Sequence, residues 1–238
     1  MGSSLTLRKI EAPMSKSLKQ RNQPQIVTFL VMNACLLLAL TFGPSHVLGF
    51  LNEATKGDLA LLGKLVAAPA VLSLLVGILG WSVPRSWKEV LVFWRASASR
   101  LPSSRAFSHL APSDTRINLD RLRSRIGTFP KNPARQTALW YRMYLAHRAV
   151  PSVDDANAAY LRYRDMSAIL PFLVVASLTL AIFRGTPWTK SVLSESIFFA
   201  EYLIVSQAAT NAAKSLVTNV LAFESSREVA ENSGSGQQ

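Results

Sequence analysis

Apolar side chains are concentrated in three runs. Ile26 to Phe42 holds no charge in 17 residues, and Met166 to Phe183 holds none in 18. Leu59 to Trp81 holds one in 23, Lys64, near its start. As helices these runs span about 26, 27 and 34 Å at roughly 1.5 Å per residue, and a hydrocarbon core is about 30 Å thick. All three are expected to be membrane helices. Pro69 and Pro171 fall inside two of them, a position that neighbouring helices make tolerable in a bundle.

A fourth run is more polar. Ile197 to Ala213 carries Glu201, Gln207 and Asn211 among six large aliphatic or Phe side chains. Those six favour insertion by roughly 0.5 kcal/mol each, and one acid at mid-membrane costs about as much as all of them together. The segment therefore needs partner helices if it is to cross; the alternative is an amphipathic helix at the interface or in the cytosol. Its polar positions form one stripe, Glu195, Tyr202, Ser206, Thr210, Lys214 and Thr218, with Glu201 at the edge. Such a stripe faces a bundle interior or a water-filled path. A symmetric oligomer would turn it into rings lining a pore, whereas within a closed bundle it would be interhelical glue, as Asn33 is expected to be.

Charge orders these helices. The chain has 26 Lys+Arg against 14 Asp+Glu, a net +12, yet only 17% of its 238 residues are charged. A basic and apolar chain is neither a disordered protein nor an ordinary soluble enzyme. Arg8, Lys9, Lys16, Lys19 and Arg21 precede the first run, and residues 82–165 hold 15 Lys/Arg against 6 Asp/Glu, whereas the 43–58 loop holds only Lys56. Basic segments stay cytoplasmic. The expected fold is an all-α integral membrane protein of four transmembrane helices in two hairpins, with a basic helical cytosolic domain between them. Its parts are a cytosolic tail 1–25, a hairpin 26–81, the basic domain 82–165, a second hairpin 166–213 and a cytosolic tail 214–238, ending in the low-complexity ENSGSGQQ. The expected location is a bacterial inner membrane, both termini cytosolic.

Within the middle segment, Trp87 to Ser99 is expected to continue inward from the second span. Asp114 to Ile126 reads as a short helix stopped by Gly127, and Asn132-Pro133 as a cap opening a helix to about Ala149. Ser152-Val-Asp-Asp155 fits a capping box, and that helix is expected to run into the third span. Residues 100–116, rich in Ser, Pro and Arg, read as an irregular loop.

Candidate chemistry is electrostatic. Arg121 and Arg125 share a helix face, with Arg116, Arg123, Lys131 and Arg135 close in sequence and Trp140 and Tyr144 next along the chain. Arginine forks beside aromatic planes suit phosphates and the bases of a short single strand. Two plainer readings stand beside it: contact with anionic lipid, and Trp140 with Tyr144 as the domain's core. Single Cys35 and three histidines leave no metal set, and no cofactor is expected. G-x-S-x-G, Walker and H-E-x-x-H motifs are missing. Ser104-Arg105 with His109 and Asp114 is only a faint likeness to lipid-phosphate phosphatases, with the wrong spacing. No enzymatic activity is expected.

The layout, with Phe93-Trp94-Arg95, Leu101-Pro102, Gln136 with Trp140-Tyr141 and Tyr144, and Tyr160-Leu161 with Arg164-Asp165, resembles the membrane effectors of bacterial anti-phage defence operons, most of all the Hailong-type effectors. That resemblance implies a channel held closed by a DNA oligomer and released on infection. The expectation is a homo-oligomeric pore, a tetramer for instance, in the lipid bilayer. An acidic ligand, a nucleotide or short single-stranded nucleic acid, would gate it by binding Arg116, Arg121, Arg123, Arg125, Lys131, Arg135, Trp140 and Tyr144. Glu195, Glu201, Tyr202, Ser206, Thr210 and Lys214 would line the path. The alternative is a non-conducting membrane adaptor whose basic domain docks a protein or anionic lipid.

Overall fold

The structure is a computed structural model that describes residues 17–43, 49, 59–95 and 100–227, the side chains of 19 and 59–69 excepted. Most of the N-terminal tail, residues 44–48 and 50–58 with Lys56, and the ENSGSGQQ tail lie outside the described residues. So does the side chain of Lys64.

Every regular element among the described residues is helical. The helices are α1 (Leu18–Phe42), α2 (Leu59–Ser82), α3 (Arg85–Phe93), α4 (Leu119–Ile126), α5 (Pro133–His147), α6 (Pro151–Phe183) and α7 (Trp188–Ser226). Between α3 and α4 lie a 3₁₀ turn (Pro102–Arg105), a π-helical turn (Ala106–Leu110) and a single α turn (Ala111–Ser113). Among the described residues three helices, α1, α6 and α7, are long and apolar enough to cross a membrane, and α2 with α3 makes a fourth candidate if that bent pair is one span. The molecule is a helical membrane protein.

Two cores are stacked along α6 and α7. The first packs Ile26, Leu30 and Leu37 of α1 and Val76 of α2 against Met166, Ile169, Leu170 and Leu173 of α6 and Phe198 and Val205 of α7. The second packs Phe107, Leu122, Trp140, Met143 and Val153 against Leu216, Val217, Val220 and Leu221 of α7. At 33 and 39 residues, α6 and α7 are about 50 and 58 Å long. They exceed a hydrocarbon core by about 20 and 28 Å, and that excess reaches the second, peripheral core. α2 approaches closely through its glycines: a Cβ on Gly80 would stand 2.9 Å from Ile169 Cγ1.

Several expectations change. α1 begins eight residues before the first apolar run, at a Ser17–Gln20 capping box. Arg21 then reaches Asp154 at 2.6 Å, and Asn22 donates to the Ala158 carbonyl, which ties the start of α1 to α6. α3 does not continue α2: it turns away by 98° because Pro84 lacks an N–H and holds its predecessor out of the helical region. α3 ends at Phe93 rather than at Ser99, and Trp94, its C-cap, takes the left-handed conformation (φ 51°). α4 starts at Leu119, capped by Asn118 Oδ1 on the Arg121 N–H. Asp114, the expected start, instead accepts from Arg116. α5 ends at His147. α6 opens on Pro151 with Val150 as its N-cap and no side-chain cap, so Ser152 lies inside the first turn and the capping box does not form.

The expected loop at 100–116 is mostly helical turns. A π-turn leaves N–H groups without the i−4 acceptor, and the buried Gln136 side chain supplies one. Its Oε1 accepts from the Phe107 N–H (3.0 Å) and the Ser108 N–H (3.3 Å). α6 does run from the peripheral core into the span, and α7 passes through residue 213 to Ser226.

Candidate functional site: a basic cavity against α7

Among the described residues, four cationic side chains line one cavity of about 520 Å³, three from the segment after α3 and one from α7. Arg95 follows α3. Arg100 and Arg105 flank Pro102, and Lys214 comes from α7. His109 stands one helical turn after Arg105. No carboxylate is among the described lining residues. Among the described residues, Arg95, Arg105 and Lys214 take part in no ion pair, and Arg100 donates to the Ser86 carbonyl at 3.0 Å. Like charges gathered in a partly enclosed space repel one another, and an anion relieves that repulsion. Val92, Phe93 and Trp94 form an apolar wall, and Ser206, Gln207 and Thr210 of α7 a polar one. This arrangement suits a polyvalent, phosphate-bearing anion carrying a flat apolar part.

Trp94 connects the cavity to the bundle. Its indole N–H donates to the Tyr202 hydroxyl at 3.1 Å, and that hydroxyl donates to the Leu91 carbonyl. Left-handed backbone at a bulky residue stores strain, and here the tyrosine on α7 holds it in place.

The polar stripe of α7 divides between two tasks. Its outer part is turned into the chain. Glu201 accepts from Asn33 at 3.0 Å, and both carboxylate oxygens of Glu195 are buried with no hydrogen-bond partner among the described residues. Ser206, where the two parts meet, lies 3.5 Å from Ser167. Tyr202 serves the Trp94 link. Its inner part, Ser206, Thr210 and Lys214, faces the basic cavity.

The arginines dense in sequence are dispersed in space. Arg125 is ion-paired with Glu224 at 3.0 Å, and Glu224 also meets His147 at 2.6 Å. Arg123 lies over the Phe129 ring, 5.3 Å from its centroid. Arg121, Lys131 and Arg135 are exposed. Trp140 is buried in the peripheral core and stacks on Tyr144, whose hydroxyl accepts from Asn157. None of these seven residues, nor Arg116, lines the basic cavity. Arg95, Arg100 and Arg105 were not among the sequence candidates. The i,i+4 spacing of Arg105 and His109 was the available signal, masked by reading the segment as a loop.

Arg116 holds the 114–118 turn to α7. It binds Asp114 at 2.7 Å and donates to Thr218 and Asn219, each at 3.1 Å. The Arg116 guanidinium is the main reason that the Asp114 carboxyl is pulled down from 3.8 to about 2. A carboxyl lowered on folding contributes stability that is present above its unfolded pKa and is lost as pH falls through the folded one. The clamp should therefore hold at neutral pH and weaken between about pH 4 and pH 2. A carboxyl-carbon NMR titration of Asp114 should show a midpoint near 2; an ordinary carboxylate midpoint would mean that the clamp does not form in solution.

No protein-family model, curated protein or solved structure matches the chain.

Proposed function

We propose that the protein is an oligomeric membrane pore regulated by an acidic, phosphate-bearing ligand, with short single-stranded nucleic acid the leading class. The observation that carries this reading is the basic cavity without a carboxylate, one wall of which is α7. An anion bridging Arg105 and Lys214 would hold the 102–113 segment against α7. That favours the arrangement described above, in which Glu201 is bound to Asn33 and Ser206 faces Ser167. In this reading the arrangement is the closed one and the ligand closes the pore. Loss of the ligand lets α7 withdraw its polar groups from the chain's own interior and present them to neighbouring copies. The ligand shifts the balance only by its greater affinity for the closed state. The excess of Lys/Arg in the N-terminal tail and the middle segment favours a cytosolic location for both termini and for the cavity, with four spans crossing a bacterial inner membrane. The likeness in layout to Hailong-type effectors supplies the setting, anti-phage defence.

A second reading, the non-conducting adaptor, draws on α3. Bent away from α2 and carrying exposed Trp87 with exposed Trp94 at its end, it has the character of a helix lying in the membrane interface, where tryptophan is favoured.

Ion flux from liposomes separates the two. The expected result is flux that falls when short DNA oligomers are added on the side of the cavity. Flux indifferent to DNA would reject the ligand, and no flux under any condition would leave the adaptor.

A further inference from the structure

A second cavity, of about 430 Å³, opens at the end of the bundle nearest the peripheral core. It lies where the start of α1, the end of α2, α3 and the middle of α6 converge. Its charged lining is Lys88, Arg164 and Asp165. Lys88 Nζ lies 3.2 Å from Asp165 Oδ1, and the Arg164 guanidinium donates to the same oxygen at 3.0 Å. Among the described residues two cations thus share one carboxylate, and one positive charge is left over. Their side chains are only 9% and 12% exposed. An uncompensated charge at that depth is costly unless an anion meets it.

The rest of the wall indicates where the anion comes from. Leu18, Ile26, Leu161 and Trp81 supply an apolar border, and Trp81 is otherwise exposed at the end of α2, where the apolar run Leu59–Trp81 stops and tryptophan meets lipid headgroups. A soluble phosphate has no use for that border, whereas a phospholipid fills it with the first carbons of its chains. Basic pockets between membrane helices are a recurrent way of holding anionic headgroups.

We infer that this cavity holds the phosphate of an anionic phospholipid, with Lys88 and Arg164 as its two cationic contacts and Asp165 setting the charge left over. The site is separate from the basic cavity against α7 and does not depend on the pore reading. The occupant ties α1 to α6 at the membrane surface, beside the Arg21–Asp154 pair.

The test uses the full chain in phosphatidylcholine vesicles containing a spin-labelled lipid, and reads the association of labelled phosphatidylglycerol relative to labelled phosphatidylcholine by electron paramagnetic resonance. The wild type should prefer phosphatidylglycerol. Lys88→Gln and Arg164→Gln each leave one cation on Asp165, so the site becomes neutral and the preference should fall by about fivefold. Asp165→Asn doubles the free positive charge and should raise the preference by a similar factor. A purely structural role for the triad would not produce that rise. Arg142→Gln removes an exposed charge on α5 and should leave the preference unchanged. Equal preferences in the wild type and both glutamine variants would overturn the inference, as would a fall in Asp165→Asn. Loss of the preference on adding inorganic phosphate would overturn the lipid as the source.

Discussion

Glu224→Ala should remove about 3–5 kcal/mol of stability, because it leaves Arg125 and His147 without their shared partner. The glutamate is one-tenth exposed, and one carboxylate oxygen faces each partner, at 3.0 and 2.6 Å. Arg125 is one-fifth exposed and also donates to the Arg227 carbonyl, so the pair fastens α4 to the end of α7. Loss of Glu224 frees the last turns of α7, and with them the packing of Leu216, Val217, Val220 and Leu221 on Leu122 and Trp140. The damage should be local. Amide exchange should quicken in α4 and in residues 214–226, while α6 and the outer half of α7 keep their protection. Arg21→Ala, which breaks a more exposed pair with Asp154, should cost no more than about 1 kcal/mol. Denaturant unfolding read by fluorescence checks both variants. A cost for Glu224→Ala no larger than that for Arg21→Ala would mean that the buried carboxylate is not holding the peripheral core together. Arg125→Glu should behave as Glu224→Ala does, whereas Arg121→Glu, at an exposed position on the same helix, should leave stability almost unchanged.

The membrane helices were legible because the bilayer imposes a length that sequence records directly. Charge-free runs such as Ile26–Phe42 and Met166–Phe183 mark the spans within α1 and α6. Where helices extend beyond the lipid, that signal stops. The first turns of α1 are polar, and the inner third of α7 reads as a tail although Leu216 to Leu221 form one side of a core. Pro84 announced the corner between α2 and α3, but the apolar content of α3 made continuity the simpler expectation. The π-turn at 106–110 was hidden for a different reason. Its stability rests on Gln136, 29 residues away, and no local propensity reports such a partner. The basic cavity was hidden in the same way. Density of charge along the chain pointed to residues 116–135, yet those side chains lie on different faces or on partners of their own. The cationic cavity instead joins Arg95 and two arginines of the stretch read as a loop to Lys214 of α7. Lys214 belongs to it because it extends the Ser206–Thr210 face of α7 by one turn, and the stripe itself was visible.

Arg105→Glu with Lys214→Glu should weaken the binding of short single-stranded DNA by at least about a hundredfold. Each lost charge-assisted hydrogen bond is worth about 1.5–3 kcal/mol, two such losses together reach that factor, and reversal adds repulsion. Counterion release gives an independent readout. A single strand contributes a slope of about −0.7 in log affinity against log salt for each phosphate neutralised, so losing two cations should make the slope shallower by about 1.4. The two side chains are exposed and make no ion pair with described residues, so the double variant should fold as the wild type does. Fluorescence anisotropy of a labelled oligomer across a salt series measures affinity and slope together. The discriminating comparison is Arg121→Glu with Lys131→Glu and Arg135→Glu, which reverses exposed charges outside the cavity. If the ligand enters the cavity, this triple variant loses only the weak, general attraction of a basic surface, and the double variant loses the site. If the triple variant abolishes binding and the double one does not, the nucleic acid lies on the outer face of α4 and α5, and the cavity against α7 has another occupant. Flux measured on the same two variants links binding to gating: a ligand that closes the pore from within the cavity leaves the double variant conducting at oligomer concentrations that silence the wild type.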